Sequence, residues 1–478
     1  MLTDIRIRDT HTRRDFLRIG GLAFGGLTLP QLLQLRASEG KPFVKDRSVV
    51  FLHLMGGPPQ VDTFDPKPDA TAEIQPVGGT VQTSLPGVRF AGHFPKMAAM
   101  ADRMAVVRSF SAVKGGPSHE AGYTSVLTAG HSSNAVMGSM YARLAGALHP
   151  KTNLPNNVLI LPEAIDSTLK LGRPSGAFTF DQTMGYFANA GSVGPAYKPF
   201  NPGGGGNLID NLTLNMPRER FDDRRLLLGQ LDQFRKQLDT TKAFDGADSF
   251  QTQAADVLVQ GIAKAFDFAK EDPKTLAKYD TSHLLDMKEI HKGGKKFWPN
   301  FSRSTNLLGK QMMLARRLCE AGCGFVTVID SCWDFHDDGN NPPAAVGIPT
   351  LAPQLDHAVT AFLDDLRERG LEDKILLVIT SEMGRTPAKK GGKSNGGSGH
   401  WGDLTSLILA GGGLKTGQVV GRSDAKGAFP ATERYTPTNL LATIFHSLFD
   451  MGELRLQQNM PRDLIKLTED AMPIRELV

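Results

Sequence analysis

The strongest constraint on the fold of this chain is a set of short apolar runs that do not alternate. They lie at Ser48–Met55, Met104–Ser109, Asn157–Leu161, Phe325–Asp330, Ile375–Thr380 and Ser406–Ala410. Turn residues bound each run, and most are rich in Val, Ile and Leu. A strand with one wet face alternates apolar and polar residues, whereas a strand covered on both faces does not. The runs therefore predict a largely parallel sheet buried between two layers of helices. Helical periodicity sits between them. Thr305–Ala321 carries Leu307, Leu308, Met312, Leu314, Ala315 and Leu318 and stops at Gly322. Pro353–Arg369 carries Leu355, Ala358, Val359, Phe362, Leu363 and Leu366 and stops at Gly370. Phe325–Asp330, the second helix and Ile375–Thr380 make a strand–helix–strand unit, expected to cross over right-handed.

Residues 200–300 differ. The Gly203–Gly206 run precedes polar helical stretches, and Arg218–Leu238 places Leu227, Leu231, Phe234 and Leu238 on one stripe. They read as a helical insertion on the α/β core. Composition narrows the function. With 54 Lys and Arg against 50 Asp and Glu, the net charge of +4 gives no global case for a nucleic-acid partner. Three cysteines build no disulfide framework, and Cys319 and Cys323 read as buried thiols.

The N-terminus reads as an address. Thr12-Arg13-Arg14-Asp15-Phe16-Leu17-Arg18 precedes a Gly-rich apolar run from Ile19 to Leu33. Paired arginines before a short apolar region predict a twin-arginine signal over residues 1–38, with cleavage near Ala37-Ser38. The run is short, holds Pro30 and is broken by glycines, so it makes a poor membrane span. No later segment reaches ~18 apolar residues. The expectation is a periplasmic or secreted protein without a stable span. It would use the twin-arginine machinery as a partner and carry one α/β domain over residues 39–478.

In an open α/β sheet, ligands bind beyond the carboxyl ends of the strands. Asp334 and His336 follow one strand, two apart, so an extended segment turns both to one side. Glu382 follows another, His400 precedes the last, and Ser118 and His119 lie beyond Met104–Ser109. Past the first strand comes Gly56-Gly57-Pro58-Pro59-Gln60-Val61-Asp62. Carboxylates and imidazoles gathered at one edge suit Zn or Mn, with Ca or Mg possible but less suited to histidine. Such a cation polarises an ester oxygen or activates water. Arg385 can clamp an anion, or pair with Glu382 or Asp403. Lys389, Lys390 and Lys393 read first as a solvated loop, otherwise as an attractor of anionic substrate. No complete dinucleotide, phosphate-loop or Gly-x-Ser-x-Gly pattern is present.

These segments resemble the secreted bacterial family labelled domain of unknown function 1501, placed in the alkaline phosphatase/sulfatase superfamily. The likeness is carried by Gly56-Gly57-Pro58 with Asp62-Thr63-Phe64-Asp65-Pro66-Lys67-Pro68, His119, Trp333-Asp334-Phe335-His336, Thr380 through Pro387, His400-Trp401 and Thr436 through Thr443. The resemblance implies an alkaline phosphatase-like α/β/α sandwich with one or two metals that cleaves phosphate or sulfate esters. It implies metal ligands at Asp334, His336, Glu382 and His400, with His119. The acid expected directly after the first strand is absent, leaving His53 or Asp62 to stand in, with His53 otherwise facing substrate. The sulfatase signature is missing too, which argues against a formylglycine enzyme. Ser118 is the candidate nucleophile, its alternative being a helix cap. The substrate implied is an anionic small molecule or glycan ester. The rival is a non-catalytic envelope binding protein that keeps the fold with a degenerate site.

Overall fold

A computed structural model describes residues 41–478 except 42, 167, 170–179, 203–264, 288–303, 339–340, 390–396 and 458–459. The signal region, the Gly203–Gly206 run, the Arg218–Leu238 stripe, Lys390 and Lys393 lie outside the described residues. The strands are β1 (Ser48–Leu54), β2 (Thr80–Gln82), β3 (Arg89–Ala91), β4 (Ala105–Val107), β5 (Asn157–Ile160), β6 (Phe325–Asp330), β7 (Ile375–Thr380), β8 (Gly384–Arg385), β9 (His400–Trp401), β10 (Leu407–Gly411) and β11 (Gln418–Val420). The α-helices are α1 (Pro95–Ala99), α2 (His119–Thr128), α3 (Met137–Ala145), α4 (Phe180–Phe187), α5 (Pro273–Lys278), α6 (Leu308–Glu320), α7 (Ala344–Glu368), α8 (Pro437–Leu448), α9 (Met451–Arg455) and α10 (Arg462–Asp470).

Seven strands form one sheet in the order β11-β4-β10-β7-β1-β6-β5. β1 runs parallel to both β6 and β7, β5 to β6, and β11 to β4. β10 alone runs against its neighbours β4 and β7. The strand–helix–strand unit β6–α7–β7 is present, with β1 lying between its two strands. All seven residues of β1 are buried. That is the environment its non-alternating sequence requires, because a polar side chain on either face would lose water without a partner.

Two apolar cores cover the two faces. Val50, Leu52 and Leu54 of β1 join residues of α1, α6 and α7. Val49 and Phe51 join residues of α2, α3 and α8 on the other face. The molecule is thus a three-layer α/β/α sandwich around a mostly parallel sheet. Two helix starts differ from expectation. α6 begins at Leu308, near the expected Thr305. α7 begins at Ala344, nine residues before Pro353, and carries Pro349 and Pro353 within it. Proline removes a helical hydrogen bond and crowds the preceding turn. Packing of the buried face of α7, including Ile348, Leu351 and Leu355, outweighs that cost. Among the described residues, no helix is long and apolar enough to cross a membrane.

Candidate metal centre

The sheet topology decides which residues can meet. β1, β6, β7 and β4 point the same way, so their carboxyl ends share one edge. β10 is antiparallel and presents its beginning there. The segments after β1, β6 and β7, the approach to α2 beyond β4, and the hairpin β8–β9 before β10 are therefore brought to one place.

His119, Asp334, His336 and His400 converge at this edge, and one ligand atom from each lies within 4.8 Å of all the others. His336 Nε2 is 2.8 Å from His400 Nε2 and 3.1 Å from Asp334 Oδ1, and His119 Nε2 is 3.6 Å from Asp334 Oδ2. A tetrahedral cation held at about 2.1 Å needs its ligands roughly 3.3 Å apart. The separations bracket that value, so the donor set fits a divalent ion. The side chains of His119, Asp334 and His336 are 26%, 16% and 20% exposed, which leaves the centre open to solvent on one side. His400 Nδ1 lies 2.6 Å from the Pro117 carbonyl. A carbonyl only accepts, so the proton is on Nδ1 and the lone pair of Nε2 faces the cluster.

The electrostatics are those of a site prepared for positive charge. Burial alone would raise the Asp334 pKa, but Arg385, His119 and His336 hold it well below the usual carboxylate range. Burial alone would lower the His119 pKa, but Asp334 and Glu382 raise it to about 9. Burial, with the charges of His119 and Arg385, pushes His400 down to about 4. His400 is thus a neutral imidazole at ordinary pH, while His119 carries a proton that a cation must displace.

Several expected site residues occupy other places. Glu382 does not join the four. It is 0% exposed and sits behind His119. Arg385, also fully buried, spends all its donors internally. Nε donates to the Gly57 carbonyl at 2.9 Å, Nη1 to Ser398 O at 3.3 Å and toward His336 Nε2 at 3.0 Å, and Nη2 to Gly56 O and Asp334 Oδ1. It is a fixed charge beside the centre and not a free anion clamp. His53 points into the core beside Tyr123 and Phe187, 0% exposed, where no substrate reaches it. Asp62 turns away to pair with Lys389 at 3.2 Å and to accept the Val77 N–H. Lys389 is therefore buried and not solvated. Ser118 takes the cap role. Its Oγ accepts the Ala121 N–H at the start of α2, and among the described residues no imidazole or carboxylate hydrogen-bonds it. Cys319, Cys323 and Cys332 are buried and outside any disulfide.

Sequence reasoning missed the groups that hold the centre in place. Gln60 accepts the Arg385 N–H at 2.9 Å and donates to its carbonyl at 2.8 Å. Ser381 donates to Glu382 at 2.8 Å. The Gly56 N–H and the Pro117 carbonyl are backbone groups that no residue letter announces. Ser381, adjacent to Glu382 at a strand end, was the one with a readable signal.

Fold and donor set together define a three-layer α/β protein with a candidate metal centre at the carboxyl edge of its sheet. The model of the family described as protein of unknown function (DUF1501) matches residues 46–478, and the chain belongs to that family. No curated protein matches it. Solved structures with likeness include the lipoteichoic acid synthase LtaP from Listeria monocytogenes, at 9% identity, with 94% of this chain and 82% of that chain covered and a TM-score of 0.36. The PsFucS1 sulfatase from Pseudoalteromonas sp. gives 11%, 91%, 72% and 0.32 for the same measures. The phosphonate monoester hydrolase SpPMH from Silicibacter pomeroyi gives 11%, 84%, 73% and 0.27. Likeness at this level bears on neither activity nor substrate.

Proposed function

We propose that this protein is an exported metal-dependent hydrolase of phosphate or sulfate esters. The carrying observation is the convergence of His119, Asp334, His336 and His400. Three imidazoles with one carboxylate favour Zn or Mn. When bound, the ion would supply Lewis-acid stabilisation and a more acidic water. The chain's own residues do the rest. His400 directs a lone pair at the centre, His119 does so once the cation displaces its proton, and Asp334 balances the charge. Arg385 adds a fixed cation that cannot leave. With a divalent ion in place, the positive charges outnumber Asp334 and Glu382, so the open side favours an anion. That balance supports an anionic small molecule or glycan ester as substrate. Export by the twin-arginine route to the periplasm or beyond rests on Arg13-Arg14 and the apolar run behind them.

The test is elemental analysis of the purified chain with turnover of aryl phosphates and aryl sulfates. About one Zn or Mn per chain is expected, with His336→Ala losing both the metal and at least ~100-fold in kcat/KM. A wild-type chain that takes up no stoichiometric divalent metal defeats the reading. Two observations favour the non-catalytic reading instead: Ser118 is a helix cap, and Arg385 has no free donor. Metal uptake with no turnover on any ester would select it.

A further inference from the structure

Glu382 is a fully buried carboxylate directly behind the candidate centre that does not behave as a ligand. Oε1 accepts the Gly56 N–H at 2.8 Å and faces His119 Nδ1 at 2.8 Å. Oε2 accepts from Ser381 Oγ at 2.8 Å and faces His53 Nε2 at 3.0 Å. A carboxylate has about four lone-pair directions, and here each oxygen already serves two donors. Ligating a cation would strip at least one buried donor of its partner.

With its other lone pairs met by Gly56, Ser381 and His53, Glu382 accepts from His119 and fixes that ring's proton on Nδ1. The ring's other nitrogen, Nε2, then faces Asp334. Behind Glu382, His53 is 0% exposed, and its Nδ1 has no hydrogen-bond partner among the described residues. An imidazole buried with one nitrogen unpaired is costly, so the bond of its other nitrogen to Glu382 must help to offset that cost. Metal-bound histidines commonly carry a carboxylate on the far nitrogen, which sets the tautomer and ring orientation. We propose that Glu382 is a positioning residue, and that a buried His53–Glu382–His119 chain presents His119 Nε2 to a divalent cation. This rests on the metal-centre reading above.

The experiment measures Zn affinity by chelator competition for the whole chain and for Glu382→Gln. The amide keeps the volume but replaces one acceptor oxygen with a donor, so it cannot serve Gly56, His119, Ser381 and His53 together, and affinity should fall about 10- to 100-fold. Nitrogen-15 NMR of the Zn-loaded wild type should show His119 bound through Nε2 with its proton on Nδ1. A readout of tautomer separates positioning from loss of fold, and it requires only the wild type if the variant does not fold. An unchanged affinity in folded Glu382→Gln, or His119 bound through Nδ1, overturns the proposal while leaving the metal centre standing. A wild type that binds no Zn overturns the centre itself, and this proposal with it.

Discussion

Gly56 shows how narrowly the edge is built. Its φ is +124°, and a Cβ there would meet Asp334 N at 2.7 Å and the Trp333 backbone at 2.8 Å. The same residue donates its N–H to Glu382, and its carbonyl accepts from Arg385. Gly56→Ala combines a conformation disfavoured for L-residues with contact against backbone that cannot yield. It should cost about 2–3 kcal/mol of stability, read by denaturant unfolding, and weaken metal uptake by moving Asp334. Full wild-type stability in this variant would mean that the approach of Gly56 to Asp334 is not needed. At this scale the four converging residues were legible, because Asp334 and His336 follow β6 closely and His119 and His400 lie in the segments leading from β4 and into β10. Glu382 was legible as a site residue but not in its role, since saturation of its oxygens is a matter of distances. Asp62 and His53 looked equivalent to them by letter alone. Asp62 is carried away by the short turn Gln60–Asp62 to a lysine more than 300 positions on, and His53 lies one residue before the strand's end, inside the core.

The elements were easier to read than the side chains. Six sheet strands follow from apolar runs that only a covered strand can hold. β11 escaped because it is three residues long and begins with Gln418, too short for a pattern. The early start of α7 escaped because prolines are sound helix breakers until tertiary packing overrides them. One link between elements had no sequence signal at all. α1 lacks a capping side chain of its own, and its first N–H groups are met by Asp356 of α7: Lys96 N donates to Oδ2 at 3.0 Å and Met97 N to Oδ1 at 2.7 Å. Asp356→Ala would leave buried donors unpaired and should cost about 2–3 kcal/mol, with Asp356→Asn recovering part of it. A thermal-unfolding comparison of the two variants checks this, and equal midpoints for Ala and wild type would refute it.

For the whole molecule, the charge state of the centre couples folding, pH and metal. Without metal, folded His119 keeps its proton up to about pH 9, whereas an ordinary histidine loses it near 6.5. Between those values the folded state binds more protons, so its contribution to stability is full below about 6.5 and fades as pH rises through about 9. Metal binding has the opposite slope, since the ion displaces that proton. Zn affinity should strengthen about tenfold per pH unit between about pH 7 and 8.5. Titrations at three pH values with flat affinity would show that His119 is not a ligand.

The ligands of the centre also come from distant parts of the chain. More than half of the sequence separates His119 from His400, with Asp334 and His336 between them. A cation gripping all four would close those loops as a removable cross-link, restraining the long covalent path as a disulfide does in cysteine-rich proteins. The grip can form only after the segments beyond β4, β6 and β7 have reached one edge. Metal occupancy would therefore act as a checkpoint for assembly of this edge, and a chain trapped before it would be left without its clasp.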